Sequence, residues 1–131
     1  MAEQPFITTQ VLNTSTGNPA WQIKCGLQAY NCLGYKGPSW HATTDCDGRI
    51  TDWHTENNGI ALNTYVRDWK ASATLDESLK FKPRFNTSGL FGGNDGFYWD
   101  VTVAVRMRRD DEHYCVLLSM GPWGYSTCRG A

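Results

Sequence analysis

Alternation with a period of two dominates this chain and limits it to folds made of half-buried strands. In "DVTVAVRM", Val101, Val103, Val105 and Met107 fall on one face and Thr102, Ala104 and Arg106 on the other, as in a strand with one side on a core. "FITTQVLN" sets Ile7, Thr9 and Val11 opposite Thr8, Gln10 and Leu12. "AWQIKCGLQAY", "SLKFKPRF", "HYCVLLSM" and "GYSTCRG" also read as strands, divided by the turn-forming "TGNP", "NTSG", "FGGNDG", "RRDDE" and "GPWG". Many short strands at this spacing imply an all-β sandwich or barrel. Pro83 has no N–H to give a ladder, so its strand is expected at an edge or a bulge. Residues 55 to 78 are the least strand-like and fit either a short helix or a long excursion. Tyr65 and Trp69, at i and i+4, would share a helical face, either to pack the segment down or to line a ligand mouth.

At 131 residues the chain is expected to form one domain over 1–131, with an insertion at about 55–78. The 12 basic and 13 acidic residues are spread along the sequence. No basic tract offers itself to a phosphate backbone, so no nucleic-acid partner is expected. The longest apolar runs, "VTVAV" and "CVLL", are far too short to span a bilayer. "MAEQPFITTQ" lacks the basic and then apolar character of a secretory signal. A soluble cytoplasmic protein with no membrane partner is the expectation. The 5 cysteines are odd in number and form no C-x-x-C pair, so free thiols are expected. A zinc site of Cys25, Cys32, Cys46 and His41 matches no ligand spacing as well as scattered buried cysteine does. No metal and no cofactor is expected.

Four segments, taken in order, carry a family likeness. "ITTQVLNTSTGNPA", "DCDGRI", "LKFKPRFNTSGLF" and "EHYCVLLSMGPWGYSTCRGA" together resemble the 5-hydroxyisourate hydrolases of the transthyretin-like family, which show ITTHVLDT, a DGR segment, YKLxFDT, HYHVPLLLSP and a terminal YRGS. The resemblance implies a transthyretin-like two-sheet β-sandwich of about eight strands with one short helix. It implies a homotetramer, a dimer of dimers, with a central channel whose sites include the C-terminal tetrapeptide. It also marks the departures. The family's histidines fall at Gln10 and Cys115, its tyrosine at Cys128 and its last serine at Ala131, whereas Arg49, Arg129 and Gly130 are kept.

These departures change the chemistry. Opening a purine-derived ring needs water activated and a leaving nitrogen protonated, which suits imidazole. Glutamine does not titrate, and a thiol beside an arginine lacks a base. Losing such help lowers rates by roughly 10²–10⁴-fold. His113 shares the parity of Cys115 but adjoins "RRDDE", where a solvated role competes with that of a substitute base. Arg49 serves either the site or the closure of its own turn onto Asp45 or Asp47. The resemblance implies Gln10, Arg49 and Cys115 at the catalytic positions and Cys128, Arg129, Gly130 and Ala131 binding substrate, and period two adds Leu12, Leu117, Ser119 and Ser126 to the same channel lining. This lining is less titratable and more apolar than a purine hydrolase needs. It fits a cofactor-independent cyclase acting on an apolar small molecule in natural-product biosynthesis, for instance by a Diels-Alder cycloaddition. A non-catalytic carrier and a residual hydroxyisourate hydrolase are the alternatives.

Overall fold

The structure, a computed structural model, describes residues 4–31, 33–56, 59–92 and 96–130. Cys32 and Ala131 lie outside the described residues. The first sheet holds β1 (Ile7–Asn13), β2 (Asn18–Pro19), β5 (Arg49–Ile50), β10 (Tyr114–Met120) and β11 (Tyr125–Gly130). Its order is β11-β10-β1-β2, with β5 also paired to β1. The second holds β3 (Lys24–Tyr30), β4 (Lys36–Thr43), β6 (His54–Thr55), β7 (Ser78–Asn86), β8 (Asp100–Thr102) and β9 (Val105–Arg108), in the order β6-β4-β3-β7-β8 with β9 also on β7. Helix α1 (Leu62–Ser72) follows β6. The result is an all-β two-sheet sandwich with one short helix.

The inward residues of both sheets make one core. Ile7, Val11, Val116 and Leu118 from the first sheet meet Leu27, Trp40, Phe81, Phe85 and Val101 from the second, all buried. Each large apolar side chain there contributes about 1.5–3 kcal/mol by burial. The helix lowers Leu62 and Val66 into this core, and Tyr65 lies 5.6 Å from Trp40, centroid to centroid. Trp69 is also packed against it. The segment after β6 is thus a packed helix.

Three readings of the sequence need correction. Pro83 sits in β7, an interior strand paired with β3 on one side and with β8 and β9 on the other. Its carbonyl accepts a 2.9 Å hydrogen bond from Val103 N, but it has no N–H to return. The ladder lapses there, so "DVTVAVRM" forms β8 and β9 rather than one strand. Second, β4 was not foreseen, because Gly37 and Pro38 mask a strand in which only Trp40 and Ala42 are buried. Third, the basic residues are spread in sequence but not in space. Lys24, Lys36, Lys80, Lys82, Arg84, Arg106 and Arg108 all project from the outer face of the second sheet. No helix among the described residues is long and apolar enough to cross a membrane.

Gly48 fixes the short strand β5 against β1. Its φ is +72°, and an added Cβ would collide with the Val11 carbonyl oxygen and stand 3.1 Å from Ala20 N. Its own carbonyl accepts from Val11 N at 2.8 Å. Gly17 has φ +75° but nothing within 4 Å of a Cβ. Gly48→Ala is therefore expected to lower stability by about 2–4 kcal/mol, from left-handed strain plus the collision. Gly17→Ala should lose only about 1 kcal/mol. Urea denaturation of both variants measures the difference.

Candidate functional site

The outer face of the first sheet is a grid set by strand register. Parallel pairing of β1 with β10 places Thr8 beside Cys115, Gln10 beside Leu117 and Leu12 beside Ser119. The antiparallel hairpin of β10 and β11 adds Gly130 beside Cys115, Cys128 beside Leu117 and Ser126 beside Ser119. On the other flank β5 sets Arg49 beside Gln10. One row across four strands thus reads Arg49, Gln10, Leu117, Cys128. All of these residues point away from the core, because facing neighbours in register share a side of the sheet.

A concavity of about 610 Å³ opens on this face, lined by Gln10, Arg49, Cys115, Leu117 and Gly130 together with Gln4, Pro5, Thr8, Thr9 and Thr51. Leu12, Ser119, Ser126 and Cys128 share the face without lining the concavity. Gly130 keeps its floor open, since a Cβ there would come within 3.3 Å of Leu117 Cδ1 and 3.4 Å of Cys115 Cβ. Thr8 was missed in the sequence although parity with Gln10 points to it. Thr51, two residues after Arg49, was legible in the same way. Gln4 and Pro5 carried no signal. None of the concavity's lining residues comes from the segment holding α1.

Arg129 is a correction. Adjacent residues of a strand face opposite ways, so with Cys128 on the outer face Arg129 lies on the other. Its guanidinium sits 3.4 Å from Asp111 Oδ1 and 5.1 Å from the Tyr114 ring. Buried Tyr114 has its phenol pKa raised, first by desolvation, then lowered by Arg129 and raised again by Asp111. Arg129 therefore helps tie β11 to the turn before β10.

Arg49 resolves differently. The turn "DCDGR" is closed by Asp45, whose Oδ1 accepts from the backbone N–H groups of Asp47 at 2.9 Å and Arg49 at 3.0 Å. Arg49 enters that closure through its backbone. Among the described residues its guanidinium makes no hydrogen bond or ion pair, and neither does the Gln10 amide. Two unengaged donor groups thus stand side by side over an open concavity.

Imidazole is elsewhere. His41 Nδ1 lies 3.0 Å from Glu56 Oε1 on the second sheet, with the His54 ring 5.8 Å away. His113 is exposed just before β10 and does not line the concavity. Among the described residues no histidine does. Cys25 is in the core, where burial pushes its thiol up to about 12, and Cys46 is exposed in the Asp45 turn.

The sequence profile described as the HIUase/Transthyretin family matches residues 7–130. The chain belongs to this family. A probable 5-hydroxyisourate hydrolase of Schizosaccharomyces pombe is 30% identical over 97% of this chain and 92% of its own length. The 5-hydroxyisourate hydrolase of Deinococcus radiodurans is 31% identical, with both chains covered in full. Sea bream transthyretin, solved in complex with thyroxine, superposes with a TM-score of 0.69 at 17% identity, covering 95% of this chain and 93% of that one. The likeness to transthyretin is one of fold. The sandwich expected from the four segments is thus the family's own architecture.

Two outcomes follow from this geometry. Asp45→Ala should destabilise the fold by about 1 kcal/mol through loss of two turn hydrogen bonds, whereas Arg49→Ala should leave stability within about 0.5 kcal/mol of the parent. Paired chemical denaturation curves check both. At pH 8, iodoacetamide should modify Cys46 readily and leave Cys25 unmodified in the folded protein, because Cys46 is exposed while Cys25 is buried in the core, where desolvation raises its thiol pKa. Peptide mass mapping reads the order.

Proposed function

We propose that this member of the HIUase/transthyretin family is a cofactor-independent cyclase, acting on an apolar carbonyl-bearing small molecule in natural-product biosynthesis rather than hydrolysing 5-hydroxyisourate. One observation carries the reading: Arg49 and Gln10 present unengaged donors beside Leu117 at a concavity that no described histidine lines. Hydrolysis of a purine-derived ring needs a proton taken from water and one given to nitrogen. An intramolecular Diels-Alder reaction forms two carbon–carbon σ bonds at the expense of two π bonds and moves no proton. Its barrier falls when apolar walls hold diene and dienophile in reacting geometry and when donors draw charge from the activating carbonyl. Leu117 in the concavity supplies such a wall, Leu12 and Cys128 extend the apolar surface along the same face, and the planar guanidinium with its neighbouring carboxamide supplies such donors.

The same reading takes the protein to be a homotetramer whose paired outer faces enclose the site. Strand β11 is exposed along Tyr125–Arg129, on both of its faces, and its unpaired edge is a template for a second copy. A carrier role is the second reading, favoured by the likeness to a transthyretin solved with thyroxine. It keeps the enclosed apolar channel and drops the chemistry.

The test has two parts. Freshly generated 5-hydroxyisourate should decay at its spontaneous rate in the presence of the purified protein; rapid turnover would restore the hydrolase reading. With substrates that tether a diene to an α,β-unsaturated carbonyl, the wild type should speed cyclisation, and Arg49→Ala should slow it by about 10²-fold. Arg49→Lys should recover part of the rate, since ammonium lacks the planar fork. Tight binding without conversion would select the carrier, and a protein that sediments as a monomer would remove the enclosed channel.

A further inference from the structure

The opposite outer face, that of the second sheet, carries a row of cations left without acids. Lys80 on β7 stands directly across from Arg106 on β9 and, on its other side, from Tyr30 on β3. Lys36 on β4 is in turn opposite Tyr30. The row is therefore Lys36, Tyr30, Lys80, Arg106, and Lys82, two residues along β7, lies with its ammonium 5.0 Å from the Tyr30 ring centre. Neighbouring strands are about 4.8 Å apart and alternate residues of a strand about 6.7 Å apart, so these charges crowd one patch.

Elsewhere on the same face Arg84 is neutralised, whereas Lys24 and Arg108 form no ion pair among the described residues. Arg84 is held by both oxygens of Asp100, at 2.9 and 3.0 Å, and His41 by Glu56 at 3.0 Å. Asp111, near the end of β9, is engaged by Arg129 and by the backbone N–H of Arg108. Among the described residues no acid forms an ion pair with Lys36, Lys80, Lys82 or Arg106. Lys80 and Arg106 are like charges directly opposite one another, which destabilises a sheet, and a local arrangement that opposes stability points to a functional site.

The patch is also concave. A pocket of about 380 Å³ is lined by Tyr30, Lys80, Lys82 and Arg106, with Gly34 on one side and Phe81, Ala104 and Val105 adding apolar surface. That volume suits a small molecule. Gln28, opposite Lys82, donates its Nε2 to the carbonyls of Ala29 at 2.9 Å and Gly37 at 2.8 Å, so the charged groups left free around Tyr30 are all cationic. Arginine's fork and lysine's point charge are the two side-chain partners of phosphate.

We propose that the pocket around Tyr30, on the face opposite the candidate active site, binds a small molecule bearing two or more linked phosphates. The phosphates lie among Lys80, Lys82 and Arg106, and the body of the ligand rests against Tyr30 and the apolar side of the pocket. This site is independent of the reaction assigned to the other face.

Calorimetric titration of the full chain with inorganic tripolyphosphate at 0.15 M salt tests it. Saturable binding at one site per protomer is expected, weakened tenfold or more in a Lys80→Gln, Arg106→Gln double variant. That variant should also melt at or above the wild-type temperature, because it removes a like-charge pair. Lys24→Gln, on the same face but in another row, should bind within twofold of wild type, and Arg49→Ala should bind unchanged. Equal weakening by Lys24→Gln would reduce the effect to diffuse surface charge and overturn the proposal, as would absence of saturable binding. Binding of phosphatidylserine vesicles or a single-stranded oligonucleotide that tripolyphosphate does not displace would assign the face to a macromolecular surface instead and overturn it equally.

Discussion

The parallel ladder between β1 and β10 is the constraint on which the site depends. It joins residues 107 positions apart, Ile7 with Tyr114 through Asn13 with Met120. Only that pairing places Gln10 beside Leu117 and Thr8 beside Cys115. A slip by one residue would turn Val116 and Leu118 out of the core and Leu117 into it, so hydrophobic burial fixes the register, and the register fixes the site. Such a long-range pairing is slow to form, because the closure entropy of the intervening chain precedes any gain from the contacts. Strand β11 is secured more easily, by the short turn in which Gly121 N donates to the Gly124 carbonyl at 2.8 Å.

The other flank rests on the Asp45 turn. Its carboxylate gathers two backbone N–H groups, and Gly48 lets the chain approach β1 more closely than any side chain would allow. Arg49 is then the first residue after the turn, paired with Gln10, and its guanidinium is left free. Here local chemistry and site geometry are separable. The backbone of this segment holds the fold while one side chain faces the concavity, so the side chain can be exchanged without loss of the turn.

How far the sequence revealed this follows from which distances the information spans. Period two is local, and it placed Gln10, Leu12, Cys115, Leu117, Ser119, Ser126 and Cys128 on shared faces without knowledge of any partner strand. The same rule excludes Arg129, which entered only because a contiguous motif was transferred whole from the family. Thr8 was legible by the rule and passed over. What was hidden depends on pairing between strands. Pro83 looked like an edge residue until β7 acquired neighbours on both sides, and the proline then interrupted a single ladder. The cations of the second sheet looked dispersed because Lys36, Lys80 and Arg106 are far apart in sequence and meet only through registers that no single strand encodes.

The sandwich separates its two outer faces by a buried core, and this lets them differ in chemistry. On the first sheet, Arg49 is a single cation among amide, thiol and aliphatic groups. On the second, several cations share one pocket and leave their repulsion uncompensated. A substitution on either face changes side chains that point away from the core, so it leaves Trp40, Phe81, Phe85 and Leu118 in place. The fold thereby tolerates exchange of the side chains on its outer faces. Gln10 sets a hydrogen-bonding carboxamide that does not titrate beside Arg49 and Leu117. On the reading proposed above, that face supplies donation and shape, and these act on a reaction that rearranges bonds within one molecule more readily than on one that must divide water.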